Sequence, residues 1–574
     1  NQEQETEYEV DALGRVIRTR TSYTDRNGEL KEAVTEIYYD ANGNKVKELD
    51  ANNTPLTPAE QKAYSYTYSA RDKLLSETDL AGNTTTYSYD KADRRLTMTD
   101  PRGNSGKYDG DFKIIYHYDD FNRLIKGELP KGKGDTEKPV VALKYDPRGN
   151  LKERIEPDGG KTIYTYYPRN LVKTEKVVGE DKSYTISYRY DKAGNQTHII
   201  DPENKQTIKG YDDLNRLISI RYPEGNIEEF EYDKRGNKSA YEDGRDNRTE
   251  YIYDGYNRLS KVKDAENNYT EYRYDQMGNL TLKINRLGDE TKFDYDQLNR
   301  LIWEEDSLGN ITKYGYDAVG NRVYKKDPLG TESSYQYYDN YLLKKISLTN
   351  NEKTHNISYK YDEAGYQKEV KDGAVITRYN TFAGSYTPDP YGRIYKKTDV
   401  IDGQSFSTEY RYDIMGRVTG IKTPRGQWQE YEYNTIGELT AVPGYVTETS
   451  YNKRGMLESV TAANGIVNSY GYDMNGRVTD LSYSNQITAL KKYSLEYDDA
   501  NNLARKNESE YNYDRLNQLV FAGLKGKFEN SPHKENQLTF QELDDYDGQE
   551  RLENEVEQLA VVELDYAAGS IGVD

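Results

Sequence analysis

Apolar and polar residues alternate in short runs along most of this chain. Residues 270 to 296 show the pattern. Tyr272 and Tyr274 alternate with Glu271 and Arg273; Leu280, Leu282 and Ile284 alternate with Thr281 and Lys283; Phe293 and Tyr295 alternate with Lys292 and Asp294. Between the runs stand Asp275-Gln276-Met277-Gly278-Asn279 and Asn285-Arg286-Leu287-Gly288-Asp289. Period-two alternation bounded by Asp, Asn and Gly clusters predicts half-buried β-strands joined by tight turns. Each unit is therefore two strands and two turns.

The unit recurs on a fixed grid. Tyr-Asp stands at Tyr190-Asp191, Tyr211-Asp212, Tyr232-Asp233, Tyr253-Asp254, Tyr274-Asp275, Tyr295-Asp296 and Tyr316-Asp317, a step of 21 residues taken six times. Looser copies extend upstream to Tyr39-Asp40 and downstream to Tyr513-Asp514. A fixed period of this size marks a repeat architecture.

The turn after Tyr-Asp carries its own signals. Asp at its start is suited to accept backbone N–H bonds in an Asx-turn. Gly or Asn three residues later tolerates the positive φ that closes such a turn. Gly194, Gly236, Gly278 and Gly320 are each followed by Asn, whereas Asn215, Asn257 and Asn299 are followed by Arg216, Arg258 and Arg300. The local period is thus 42 residues. Two explanations stand open: duplication of a repeat pair, or alternate hairpins meeting different neighbours. The second turn often carries Pro and Gly, as in Asp327-Pro328-Leu329-Gly330, which suits successive β-turn positions. The regular placement of these Asp and Gly residues at turns assigns them to structure rather than to calcium.

Composition sharpens this picture. The 574 residues are only 34% hydrophobic, yet 59 are Tyr against nine Phe and two Trp. Disordered chains are poor in aromatics, so Tyr must supply much of the buried area, with its hydroxyl near water or a partner. The net charge is −20, which disfavours a nucleic-acid partner. There is no Cys, hence no disulfide and no thiol nucleophile. No apolar run approaches the length of a membrane span. The start at Asn1 without Met or signal peptide reads as a fragment or a processed product.

The pattern Tyr-x-Tyr-Asp-x-x-Gly-Asn/Arg-Leu, seen at Tyr251 to Leu259, Tyr272 to Leu280 and Tyr410 to Val418, resembles the YD-repeat of the Rhs family. That family includes bacterial Rhs polymorphic toxins, wall-associated proteins, the B and C components of insecticidal toxin complexes, and teneurins. The resemblance covers roughly residues 8 to 521. It implies a long β-sheet spiralled into a hollow shell, which encloses a C-terminal toxin in toxin members and forms an adhesion scaffold in teneurins. Strand arithmetic agrees with a coiled ribbon. About 22 repeats make about 44 strands at about 4.8 Å spacing, a ribbon on the order of 200 Å long, and open sheets rarely pass about 10 strands without curling. Coiling would let the apolar, Tyr-lined face turn inward to meet its own neighbours or enclose a cavity. The expected fold is all-β: an antiparallel hairpin ribbon coiled into a spiral hollow shell or tube.

The expected division is a YD-repeat shell over 1–522 and a non-repeat cap, or the start of a following module, over 523–574. Within the latter, Leu552, Val556 and Leu559 suit a short capping helix, and Leu564 to Asp574 weakly resembles the opening strand of a discoidin-type module. Residues 50–63, 104–112, 130–138 and 380–394 break the register. Asp389-Pro390-Tyr391-Gly392-Arg393 superficially matches the Asp-Pro-x-Gly-type motif that ends toxin shells, but reads as a degenerate repeat. His117, His198, His355 and His533 fit no metal spacing. No nucleophile elbow or phosphate loop occurs. The expectation is a non-catalytic shell of a secreted or cell-surface bacterial Rhs-type protein, with no cofactor and no metal, enclosing or displaying another polypeptide module such as a toxin or adhesion cargo. The alternatives are a glycan-binding adhesin, with Trp303 and Trp428 as candidate stacking residues, and last a polysaccharide-active enzyme.

Overall fold

The computed structural model describes residues 6–485 and 488–524. The suggested capping helix and the discoidin-like strand lie outside the described residues. Those described form 49 β-strands and one four-residue helix, Pro101–Asn104. Thirty-seven strands make a single antiparallel sheet from Thr6–Val10 to Trp428–Glu430; eight more, from Val446–Tyr451 to Leu519–Leu524, make a second. The order is a plain meander. Gln196–Ile200 pairs with Gln206–Tyr211, that strand with Leu217–Arg221, and that in turn with Ile227–Tyr232. One departure lies at the degenerate repeat: Val375–Tyr379 pairs with Lys396–Ile401 around a small hairpin, Thr381–Phe382 with Ser385–Tyr386.

The alternation read from sequence is the alternation of exposure. In Glu290–Tyr295, Thr291, Phe293 and Tyr295 are half-buried while Glu290, Lys292 and Asp294 are exposed. Register slips at every Tyr-Asp hairpin of the regular block. Gly210 faces Ser219 but Tyr211 faces Leu217, so Ile218 is an extra residue. This is a β-bulge, which adds twist and leaves one residue outside the ladder.

Fully buried residues are few, and most of them sit on turns. Leu49, Ala51 and Leu80 are buried together with Asp50, Asn53, Arg102, Asp243, Asn247, Asp362 and Asp389. The reason is the course of the ribbon, which winds past itself. Residues 249 to 291 positions apart in sequence meet repeatedly through hydrogen bonds. Coiling brings together hairpin turns, not sheet faces. The seam between coils, polar in composition, is the best-buried part of the molecule.

Candidate functional site: the hairpin rims and the seam between coils

Each Tyr-Asp turn is built around its aspartate. Oδ1 of Asp212 accepts the amides of Leu214 and Arg216 at 2.9 Å each, and Oδ2 accepts Nε of Arg216 at 2.7 Å. Asp254 holds Tyr256 and Arg258 in the same way. In the Gly-Asn turns the Asn amide takes the guanidinium's place: Nδ2 of Asn195 donates to Asp191 Oδ2 at 2.9 Å, and Asn237 and Asn279 do so to Asp233 and Asp275. These bonds favour the carboxylate. The side chain of Asn195 leads in holding Asp191 below the usual carboxylate range, and the amide of Arg216 leads for Asp212.

Gly and Asn are interchangeable at the turn's left-handed residue. Gly194, Gly236, Gly278 and Gly320 have φ of 103°, 93°, 94° and 99°; Asn215, Asn257 and Asn299 have 63°, 64° and 59°. The alternation has a contact basis. Asn195 donates to Oδ1 of Asn215 at 2.7 Å, and Asn279 to Oδ1 of Asn299 at 2.9 Å. Arg258 and Arg300 then donate to the carbonyls of Asp275 and Asp317 at 2.9 and 2.6 Å. Each step along the rim is thus bonded, with Asn and Arg taking turns as donor. A Gly in place of Asn215 would break one link. Alternate hairpins are thus joined along the rim by different donors.

In five of the seven regular Tyr-Asp pairs the tyrosine serves the preceding repeat. Tyr211, Tyr232, Tyr253, Tyr274 and Tyr316 donate their hydroxyls to the carbonyls of Gln196, Leu217, Lys238, Leu259 and Leu301, each 15 residues back, at 2.8 to 3.1 Å. Those carbonyls flank the bulges, so Tyr satisfies an acceptor beside the slipped ladder. Phe cannot do this, and so Tyr outnumbers Phe. The guanidiniums of Arg216, Arg258 and Arg300 lie over the rings of Tyr232, Tyr274 and Tyr316 at 4.7 to 5.1 Å. Tyr190 makes an edge contact with Tyr167 instead, and Tyr295 is half-buried on its strand.

Where the ribbon passes itself, the second-turn rim of the first coil meets the Tyr-Asp rim of the next. Nδ2 of Asn52 donates to Asp317 Oδ2 at 2.8 Å, and Asn52 Oδ1 accepts the Ala318 amide at 3.1 Å. The Tyr341 hydroxyl donates to Asp50 at 2.5 Å. Further round, Arg417 pairs with Asp158 at 3.1 Å and Arg454 with Asp201 at 2.8 Å. Glu224 exchanges bonds with Asn475 and Met474. Arg245 reaches Asp498 at 3.3 Å and the Tyr513 carbonyl at 3.0 Å. Burial, then the bond to Asp50, pushes the Tyr341 hydroxyl far above its ordinary pKa.

One stretch of the seam is built differently. The irregular segments near 104–112, 130–138 and 380–394, far apart in sequence, converge there. Arg102, with its side chain 2% exposed, donates to the carbonyls of Asp389 and Pro390 at 2.6 and 2.8 Å and to its own N-cap Asp100 at 2.5 Å. It stacks on Phe112 and Tyr366 at 5.0 and 4.7 Å. The Tyr391 hydroxyl donates to the Pro130 carbonyl, and the Lys133 ammonium sits 3.2 Å from the Phe382 ring centroid. Asp389 accepts the Tyr391 and Arg393 amides at 2.9 and 3.0 Å, and Gly392 has φ of 74°. Asp389 to Arg393 is therefore a Tyr-Asp-type turn in geometry. Burial raises the neighbouring Asp362 carboxyl above its ordinary pKa despite Arg102 at 3.7 Å. Beside the cluster lies a cavity of about 730 Å³, bounded by Tyr64, Glu77, Met98 and Phe112 from one coil and by Leu342 and Tyr366 from the other. Sequence reasoning missed Arg102 and Asp362. The available signal was that the register breaks fall into two groups about one coil apart.

The two tryptophans are engaged within the sheet. Nε1 of Trp303 donates to Asp294, its cross-strand neighbour, at 3.1 Å. Trp428 carries the Arg411 guanidinium 3.7 Å from its ring centroid and packs against Gly420. Among the described residues, no group of three His, Asp or Glu side chains is placed to hold a metal ion.

The Teneurin YD-shell family matches residues 207–371, and the RHS repeat family matches residues 68–105. No curated protein matches the chain. Among solved structures, the chain is similar to the crystal structure of TcdB2-TccC3-Cdc42, with a TM-score of 0.72 and 12% identity over 90% of this chain and 37% of that one. It is likewise similar to a Photorhabdus luminescens Tc holotoxin pore, with a TM-score of 0.63 and 13% identity over 91% of this chain and 34% of that one. At that identity the likeness is one of fold, and this chain spans just over a third of those relatives' length. The Tyr-Asp grid and its coiled hairpin ribbon thus match the Teneurin YD-shell and RHS repeat families over 207–371 and 68–105, and the ribbon as a whole is similar in fold to those toxin-complex structures.

Proposed function

We propose that this chain is a non-catalytic wall: part of the shell of a secreted or cell-surface bacterial Rhs-type protein, enclosing or displaying another polypeptide module. The seam carries this reading. A sheet that bonds to itself one coil later, turn against turn, makes a continuous wall without needing a second layer. One coil of about 25 strands at about 4.8 Å gives a circumference of about 120 Å and a diameter of about 40 Å. Allowing about 5 Å per side for lining side chains leaves a lumen about 30 Å wide. A folded domain of about 100 residues, with a radius of gyration of about 13 Å, fills that width. A larger cargo would be held incompletely folded. The chemistry of the repeat supports a wall as well, since its aspartates, asparagines and tyrosine hydroxyls are spent on turns, bulges and seams. The glycan-stacking alternative gains no support from Trp428, whose ring is covered by Arg411.

The test is cryo-electron microscopy of the parent protein together with limited proteolysis. Density inside the coil, and a flanking module protected until the shell is unfolded, are expected. An empty lumen with a freely digested module refutes enclosure. A glycan array checks the alternative, and specific hits abolished by Trp303→Ala or Trp428→Ala would favour it over the wall.

A further inference from the structure

The residue two places after the turn-opening Asp or Asn sits at the tip of each hairpin. Its exposure reports whether another coil covers it. On the seam-facing Tyr-Asp rim, Leu298, Val319, Ala364 and Met415 are half-buried. On the free Tyr-Asp rim of the first coil, Leu214 and Tyr256 are 71% and 84% exposed. The second-turn rim shows the complementary contrast. Where it meets the next coil its tips are polar, as at Glu203, Glu224 and Arg245, and Glu224 and Arg245 bond across the seam. After the polar tip at Glu266, three successive tips turn apolar: Leu287, Leu308 and Leu329, which are 77%, 85% and 86% exposed.

We propose that the first position of this apolar rim, Leu287, is covered by the chain's own C-terminal segment, through Tyr546-Asp547-Gly548-Gln549-Glu550-Arg551-Leu552. That stretch repeats the spacing of Tyr211-Asp212-Asp213-Leu214-Asn215-Arg216-Leu217, with Tyr, Asp, Arg and Leu in register. It is a further copy of the Tyr-Asp sequence pattern, within 523–574. Its distance along the chain fits the seam. Asp547 follows Asn285 by 262 residues (547 − 285), and cross-coil hydrogen-bond partners stand 232 to 291 residues apart. The described chain already heads there, because Arg286 donates to Gln518 Oε1 at 3.4 Å. The proposal lengthens the seam by one turn beyond the described residues. It places Gln549, two residues after Asp547, opposite Leu287.

The chain contains no Cys, so engineered pairs report without background. The test is the full 574-residue chain carrying Leu287→Cys with Gln549→Cys, mildly oxidised, digested and analysed for the linked peptide. Most molecules should form the intramolecular disulfide. Leu214→Cys with Gln549→Cys, on the opposite rim, should form little. Leu329→Cys with Gln549→Cys should also form little, since the seam offset would put its partner about 40 residues further along, two repeats away. A single Leu287→Cys should react with a maleimide at least about tenfold more slowly than a single Leu329→Cys. Three results would each overturn the proposal: no linkage at Leu287 in protein with unchanged circular dichroism, equal linkage at all three rim positions, or linkage only between two molecules.

Discussion

Arg102 and Arg216 make chemically similar pairs with a neighbouring aspartate, yet only Arg102 also bonds another coil, so comparing them isolates the seam. The perturbation is Arg102→Met, which keeps the aliphatic length and deletes the guanidinium. It removes the bonds to the carbonyls of Asp389 and Pro390 and the pair with Asp100. Removing one member of a buried pair costs about 3–5 kcal/mol, and each orphaned acceptor belongs within that sum. A loss of about 4 kcal/mol is about a thousandfold in a local opening equilibrium, at about 1.4 kcal/mol per factor of ten. Repeat proteins open locally because each unit touches only its neighbours. The assay is therefore hydrogen exchange by mass spectrometry at 389–393, where the Gly392 and Arg393 amides bond to Asp389. Protection there should collapse while the first coil's regular block keeps its own. Arg216→Met, on the free rim, should change protection at 212–216 by only a few-fold. If both variants lose equally little, the seam contributes no stability and the closed-wall reading fails.

Three further outcomes follow from the repeat itself. Tyr274→Phe should cost about 1 kcal/mol by freeing the Leu259 carbonyl, visible as faster exchange in the Leu259–Lys263 strand with unchanged circular dichroism; no change would deny the hydroxyl its role. Asn215→Ala should cost about 1–2 kcal/mol for an ordinary residue at left-handed φ, whereas Asn215→Gly should keep the turn and lose only the Asn195 bond, a difference that melting curves resolve. Burial, then the bond to Glu304, pushes Tyr314 up to about 12; burial, then the Glu175 charge, does the same for Tyr188. The folded form therefore holds protons that the unfolded chain releases from about pH 10. The contribution of these tyrosines should be constant below that pH and fall between about 10 and 12, and denaturant titrations with tyrosinate absorbance check the sign.

Much of this molecule is written locally. Period-two alternation and the 21-residue grid determine the strands and their hairpins, because one residue's slip would turn the half-buried Tyr and Leu face outward. The turn chemistry was equally legible: Asp275 and Gly278 do what a short loop requires within five residues. Even the 42-residue alternation was visible at Asn215 and Gly236, though not its cause. Tertiary structure decided what lies one coil away. That Asn52 meets Asp317, that Arg102 is sealed under Asp389 and Pro390, and that many of the fully buried residues are polar all depend on the pitch of the spiral. Pitch accumulates from small bulge and twist angles over some 25 strands, and no single repeat encodes it. The chain therefore specifies its hairpins by pattern, while the coil's return upon itself selects which of many equivalent turns become the seam.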